Sequence, residues 1–297
     1  MAVASVKATI NGSQYTLNWD ESSQSYKATI SAPSTSSYNE TGHYYPVSIT
    51  ATDDGGNETT VNDQDETFGT ILRLQVKEKV APVSTITYPT TGSHITTNTP
   101  TITWTVTDND SGVDPDTITI QIDSAPATGD GIQKTPNDQK GYDCSYTPTA
   151  MADGPHTILV MASDHDGNAA NSVGASITVD TVPPVLTVTS PADNLVTNQD
   201  TVTVSGTTND ATSGPVTVKV NEVPVTVQEN GTFIYEFTLS EGDNTITIVA
   251  TDSAGKSSTV VRHVNKDTGS PVFQEISIVP NPVDAGQTYI ITVKVTD

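Results

Sequence analysis

One cysteine, Cys144, is all the chain contains, which excludes an internal disulfide framework. It lies in Gly141-Tyr-Asp-Cys-Ser-Tyr-Thr147, an alternating strand pattern in which a buried thiol serves as a small hydrophobe, with no histidine nearby to activate it. Cations are scarce too: 12 Lys and Arg stand against 35 Asp and Glu, a net charge of −23. Neutralising phosphates needs clustered Lys and Arg, so nucleic acid is excluded as a partner. No polybasic run suits an anionic membrane surface, and no stretch approaches the roughly 20 apolar residues of a membrane span. Aromatics make up only 5%, and the sequence displays no aromatic platform for a ligand. Helical periodicity is missing from every window of about a dozen residues. The opening residues Met1-Ala-Val-Ala-Ser-Val read as a strand, without a basic segment and apolar core, so no secretory leader is expected.

What is present is strand and turn chemistry. Thr, Val and Ile abound, with 18 Pro and 20 Gly spread evenly over 297 residues. That length suits two to four small domains. A hydrophobic fraction of 34% allows only thin cores, each made from one inner face per strand. The expected class is all-β, with tandem sandwiches of roughly 100 residues in an elongated array joined by short, semi-rigid, proline-bearing linkers.

Three segments set the period: Tyr45-Pro-Val-Ser-Ile-Thr-Ala-Thr-Asp53, His156-Thr-Ile-Leu-Val-Met-Ala-Ser-Asp164 and Asn244-Thr-Ile-Thr-Ile-Val-Ala-Thr-Asp252. Each alternates into an Ala and an Asp, and a turn glycine follows: Gly55, Gly167 and Gly255. The Asp caps the turn and the Gly tolerates positive φ. A further strand then closes the repeat as its seventh, G, after F. The opening strand A recurs between prolines as Pro82 to Pro89, Pro184 to Pro191 and Pro271 to Pro280, a placement suited to an edge. Strand B follows as Thr101 to Asp108, Thr201 to Thr207 and Tyr289 to Asp297.

On this period, residues 80–180 and 181–269 are complete repeats. Residues 270–297 match only strands A and B, while residues 1–79 match the remainder, C through G. Within 1–79 the expected strands are Ser5 to Ile10, an Asn11-Gly12 hairpin turn, Gln14 to Trp19, then Tyr26 to Ile30. Trp104 and Trp19 read as core or sheet-face residues.

The run Asp180-Thr-Val-Pro-Pro184, with the Ala-Thr-Asp-x-x-Gly turns, resembles bacterial immunoglobulin-like repeats of surface adhesins and phage virion proteins. The resemblance covers nearly the whole chain and is architectural. It implies spacers, glycan-adherent decorations, or tail and fibre components, located on a virion or extracellular surface. It carries over no active site, because such modules have none.

The residues agree: the five histidines share no metal-ligand spacing, and neither a Gly-x-Ser-x-Gly elbow nor a phosphate loop occurs. The chain therefore reads as a non-enzyme that requires no cofactor. Acidic turns offer one binding chemistry. The B–C and F–G loops should meet the preceding linker at one pole, gathering Asp180, Asp210 and Asp252 at one domain junction. At the other they gather Asp108, Asp110, Asp114, Asp164 and Asp166 near Glu78 and Lys79. Calcium takes such oxygens; plain turn formation by Asp is the alternative.

Two functions follow. In the first, the chain is a virion tail, fibre or decoration component that assembles head to tail with copies of itself, in contact with other virion proteins or host surface glycans. Strands A and B (Pro271, Phe273, Ile276, Ile278, Ile290, Val293, Val295) complete the sandwich that residues 1–79 leave open at Val47, Ile49 and Leu72. In the second, it is a stalk or glycan-binding module of a longer bacterial adhesin.

Overall fold

Alternation of apolar and polar side chains puts one face of each segment inward, and the chain follows that instruction nearly throughout. A computed structural model describes residues 2–127 and 131–297, and the chain divides into two compact units, Met1–Val179 and Asp180–Asp297.

The first unit opens with β1 (Val3–Ile10), β2 (Ser13–Asp20), β3 (Ser25–Lys27), β4 (Tyr45–Asp53), β5 (Glu58–Val61) and β6 (Arg73–Leu74). They form one sheet in the order β3-β2-β1-β4-β5, with β6 also on β4. Between β1 and β2, Asn11 and Gly12 take φ of 46° and 72°, the left-handed pair that a two-residue hairpin requires. The expected strand from Tyr26 to Ile30 is not formed. Only Ser25–Lys27 is extended in a ladder, and it pairs back onto β2. In a complete repeat that strand pairs with strand B, which this sheet does not have.

A full sandwich follows, with β7 (Val83–Tyr88), β8 (His94–Ile95), β9 (Ile102–Thr107), β10 (Val113–Ile122), β11 (Ala125–Pro126), β12 (Gln133–Pro136), β13 (Tyr142–Tyr146), β14 (Gly154–Asp164) and β15 (Val173–Val179). Its two sheets run β12-β13-β9-β7 and β11-β10-β14-β15-β8. Ile102, Trp104 and Val106 of β9 face Ile120, Ile158 and Val160 in a closed core. Trp104 is therefore a core residue. Cys144 packs there as well, and burial pushes its thiol up to about 11, so it stays protonated and inert.

The second unit repeats the design with β16 (Val185–Ser190), β17 (Leu195–Thr197), β18 (Thr201–Asn209), β19 (Thr217–Val220), β20 (Val223–Val225), β21 (Thr232–Thr238), β22 (Gly242–Thr251) and β23 (Ser257–Lys266). The sheets are β16-β18-β21 and β17-β23-β22-β19-β20. Short parallel strands, β8 on β15 and β17 on β23, let the chain cross to the second sheet after the first proline-bracketed strand. Sequence patterning alone does not show them, because two or three residues carry no period. Gly206 lets β18 pass close to Phe233, whose ring a Cβ there would meet at 2.7 Å. The unit ends in a two-stranded hairpin, β24 (Val272–Val279) with β25 (Ile290–Thr296).

Candidate functional site

Directly paired residues share a face, so the registers show which sides of the incomplete pieces are apolar. In the first sheet, Val6 pairs Leu17 and Ala51, while Ala8 pairs Tyr15 and Ile49. Ile10 pairs Val47, Ile49 pairs Val61, and Trp19 pairs Tyr26. One continuous apolar face results. Val6, Ala8 and Tyr45 on this sheet are buried, yet Val47, Ile49 and Leu72 remain half-buried and Trp19 is 46% exposed. Trp19 and Tyr26 meet edge to face at 5.2 Å, an aromatic pair that the scattered sequence positions conceal.

The hairpin β24–β25 is also apolar on one face. Phe273 pairs Val295, Ile276 pairs Val293, and Ile278 pairs Ile291, so these six share one face. All six are exposed, from 43% at Ile278 to 65% at Phe273. Ile290 pairs Val279 on the opposite side. The expected inward position at Ile290 therefore belongs to Ile291, since a slip of one residue reverses the face. Pro271 precedes the hairpin and is exposed.

The acidic turns repeat in closer detail than their sequences suggest. Asp53, Asp164 and Asp252 each accept, on Oδ1, the backbone N–H of the fourth residue onward at 2.8–2.9 Å. The residue before it is a glycine at positive φ: Gly56 (82°), Gly167 (90°) and Gly255 (88°). In the first repeat that place belongs to Gly56, not to Gly55 as the sequence suggests. At the fourth position, Asn57 and Asn168 turn their side-chain amides onto the second oxygen, at 2.9 and 2.7 Å. The third repeat has Lys256 there, and Asp252 Oδ2 is buried with no hydrogen-bond partner.

Two carboxylate groups assemble from these turns, Glu78 with Asp108 and Asp164, and Asp180 with Asp210 and Asp252. In each group one oxygen per residue lies within 4.8 Å of the others. Asp108, Asp164, Asp180 and Asp252 are all buried. At such a separation each charged pair repels by roughly 3 kcal/mol at an effective dielectric of about 20. Burial raises Glu78 above the ordinary carboxylate range; the Ser111 N–H opposes that shift, and the charges of Asp108 and Asp110 add to it.

The remaining expected ligands go elsewhere. Asp110 accepts the Ser36 N–H at 2.9 and 3.0 Å and the Asn39 amide at 3.0 Å. Asp166 accepts the Glu78 N–H at 2.9 Å, and Asp114 caps its own turn through the Asp116 N–H. An open cleft of about 580 Å³ lies beside Glu78, Asp108 and Asp110, so acidic turns border a cavity. Four of the five histidines hold structural posts: His43 and His165 stack on Tyr38 at 4.1 and 4.0 Å, and His156 and His263 face Asp123 and Asp193.

Residues 82–160 match the family described as "Bacterial Ig domain". That match covers the first closed sandwich. The chain is built as tandem immunoglobulin-like β-sandwiches. Residues 184–268 match a second family, described as "Glucodextranase, domain B". Bacillopeptidase F of Bacillus subtilis (strain 168) is 28% identical over 163 residues, which is 53% of this chain. The chain spans 11% of that relative's length. Among solved structures, an I-band fragment of titin is similar at 11% identity and a TM-score of 0.43, covering 88% of this chain and 87% of that one. The fibronectin(III)-like modules of Clostridium thermocellum CbhA are similar at 17% identity and 0.39, covering 63% of this chain and 95% of theirs. Immunoglobulin-like modules of this kind are typically non-catalytic, and the repeats here form surface or structural modules. Among the described residues no helix is long and apolar enough to cross a membrane.

Proposed function

We propose that this chain is a non-catalytic structural array of an extracellular or virion surface, in which β24–β25 of one copy completes the open sheet β1–β6 of the next. The observation that carries this reading is the pair of complementary apolar faces. In the complete repeats, the first two strands receive a third at their free edge: β9 takes β13, and β18 takes β21. Among the described residues, no strand pairs with that edge of β25, and none takes the corresponding place beside the segment after Tyr26 in the first sheet. Docking would pair β25 with residues 26–30 and press Phe273, Ile276, Ile278, Ile291, Val293 and Val295 onto the half-buried Leu17, Val47, Ile49 and Leu72. Backbone bonds and apolar burial are gained in one step, as when an extended segment is added to a sheet. A contact between unlike surfaces of identical copies propagates as a ring or a filament.

The test is light scattering on the purified chain and on residues 1–269. The full chain should associate as concentration rises. The truncated chain should be monomeric and bind a hydrophobic dye at its open sheet, and an added peptide of residues 270–297 should displace that dye. A full chain that stays monomeric, with dye binding unchanged by the deletion, would overturn the reading. The match to a segment of bacillopeptidase F favours a second one, a spacer within a longer bacterial protein whose neighbouring residues supply the missing strands. A monomeric full chain is the outcome which that spacer predicts.

A further inference from the structure

We infer that Asp180, Asp210 and Asp252 form a binding site for a single hard divalent cation, and that calcium is the ion that fits it. Turn hydrogen bonds already occupy one oxygen of each carboxylate. Asp210 gives Oδ1 to the N–H groups of Thr212 and Ser213 at 2.8 and 2.6 Å. Asp252 gives Oδ1 to the Lys256 N–H at 2.9 Å, and Asp180 gives Oδ1 to the Val182 N–H at 3.2 Å. Each backbone turn consumes one carboxylate oxygen and leaves the other. Asp180 Oδ2 faces the Ser213 hydroxyl, and Asp252 Oδ2 has no hydrogen-bond partner although Asp252 is only 6% exposed.

Comparison across the repeats makes that free oxygen specific. The equivalent oxygens of Asp53 and Asp164 are both covered by an asparagine amide four residues later. Only the third repeat replaces that asparagine with Lys256, and none of the ion pairs among the described residues involves it. The amide that would otherwise quench the carboxylate is gone, and no counter-charge has taken its place. A buried carboxylate oxygen without a partner is costly, and three carboxylates in mutual range compound that cost. A cation removes both problems at once. The donors are all oxygen, three carboxylates and a serine hydroxyl, with no imidazole or thiolate. That chemistry selects a hard ion over zinc or copper. Turn-borne carboxylates with water completing the shell suit the 6–8 loose ligands of calcium better than the tight octahedron of magnesium. In the cluster of the preceding repeat, Asn168 still covers Asp164 Oδ2, so the inference is confined to the second unit.

Calorimetry on the chelator-treated full chain, with calcium chloride as titrant, tests this. One calcium per chain should bind with a dissociation constant below about 1 mM, the weak limit for extracellular modules. Asp252→Asn should weaken it at least tenfold. Lys256→Asn should also weaken it severalfold, because the new amide covers Oδ2 as it does in the other two repeats, and this variant keeps a turn the fold already uses twice. Asp164→Asn should leave binding unchanged, and magnesium should bind at least tenfold more weakly. No calcium binding at 1 mM, or binding untouched by both Asp252→Asn and Lys256→Asn, would overturn the inference. So would its transfer to Asp164, or magnesium binding as tightly as calcium.

Discussion

Strands β9 and β25 hold one pattern in two surroundings. In β9, Ile102, Trp104 and Val106 are exposed by 0%, 1% and 0%; at the matching places of β25, Ile291, Val293 and Val295 are exposed by 56%, 47% and 44%. Both strands pair with a proline-bracketed partner in the same way. The difference is what lies across the face: β10 and β14 for β9, and no facing strand among the described residues for β25. Alternation decides which side of a strand is apolar, but only a second sheet makes that side a core.

Truncation separates the two cases most sharply. Trp104→Ala should cost about 3–5 kcal/mol in urea denaturation, the price of a large cavity in a closed core. Val293→Ala should change the stability of the dilute, dissociated chain by no more than about 0.5 kcal/mol, as exposed substitutions do, while weakening association in light scattering. Equal destabilisation by the two would mean that the hairpin already has a core of its own. The face can be resolved further with charge. Ile291→Asp should abolish association, and Ile290→Asp, on the other side of the same strand, should leave most of it. The reverse order would show that the hairpin docks through its opposite face.

Much of this was legible in the sequence because the signals are local. The Asn11-Gly12 turn and the Ala-x-Asp strand ends depend on neighbours within a few residues. So does the capping role of Asp164 and Asp252. The meeting of Asp180, Asp210 and Asp252 was also readable, since immunoglobulin-like topology brings those loops to one pole. What failed was non-local or off by one place. Gly55 and Gly56 look alike until a backbone φ distinguishes them. Ile290 and Ile291 are adjacent isoleucines, and only the ladder to β24 assigns their faces. Asp110 and Asp166 have the composition of ligands, but the backbone of residues 36 and 78 claims their oxygens. The strand expected up to Ile30 depends on a partner that the first sheet does not have.

A smaller effect sharpens the contrast between the two closed sandwiches. Asn168→Ala should destabilise the chain by about 1–3 kcal/mol, because it strips a hydrogen bond from the buried Asp164 carboxylate. Lys256→Ala at the matching place removes no side-chain bond and should cost under about 0.5 kcal/mol in chelator. Calcium should leave the Asn168→Ala loss unchanged, since the inferred cation site is in the other sandwich. Restoration of Asn168→Ala by calcium would show that an uncovered Asp164 also takes the ion.

The smallest expected effect is on pH dependence, and it compares two histidine–aspartate pairs. His156 Nδ1 lies 2.6 Å from Asp123 Oδ2, and its Nε2 faces the Ala152 carbonyl at 2.7 Å. Burial works against the imidazolium, but these two acceptors outweigh it and raise His156 above its ordinary 6.5. Burial likewise pushes Asp123 upward, and the Thr157 N–H and His156 overcome it, leaving the carboxyl below 3.8. A raised histidine contributes stability that is complete below the unfolded value of 6.5 and disappears as pH rises through the higher folded value. A lowered aspartate contributes stability that is complete above 3.8 and disappears as pH falls through the lower folded value. The pair therefore stabilises most between about pH 4 and 6.5. Denaturation midpoints of the native chain and of His156→Gln should differ most in that interval and converge towards pH 9 and below pH 3. His263→Gln is the control, because the His263 and Asp193 side chains are 58% and 46% exposed, where solvent screening leaves an ion pair little to contribute. A His156→Gln difference that stays constant from pH 4 to 9 would reduce this histidine to a packing and hydrogen-bonding role, with its charge adding nothing to the fold.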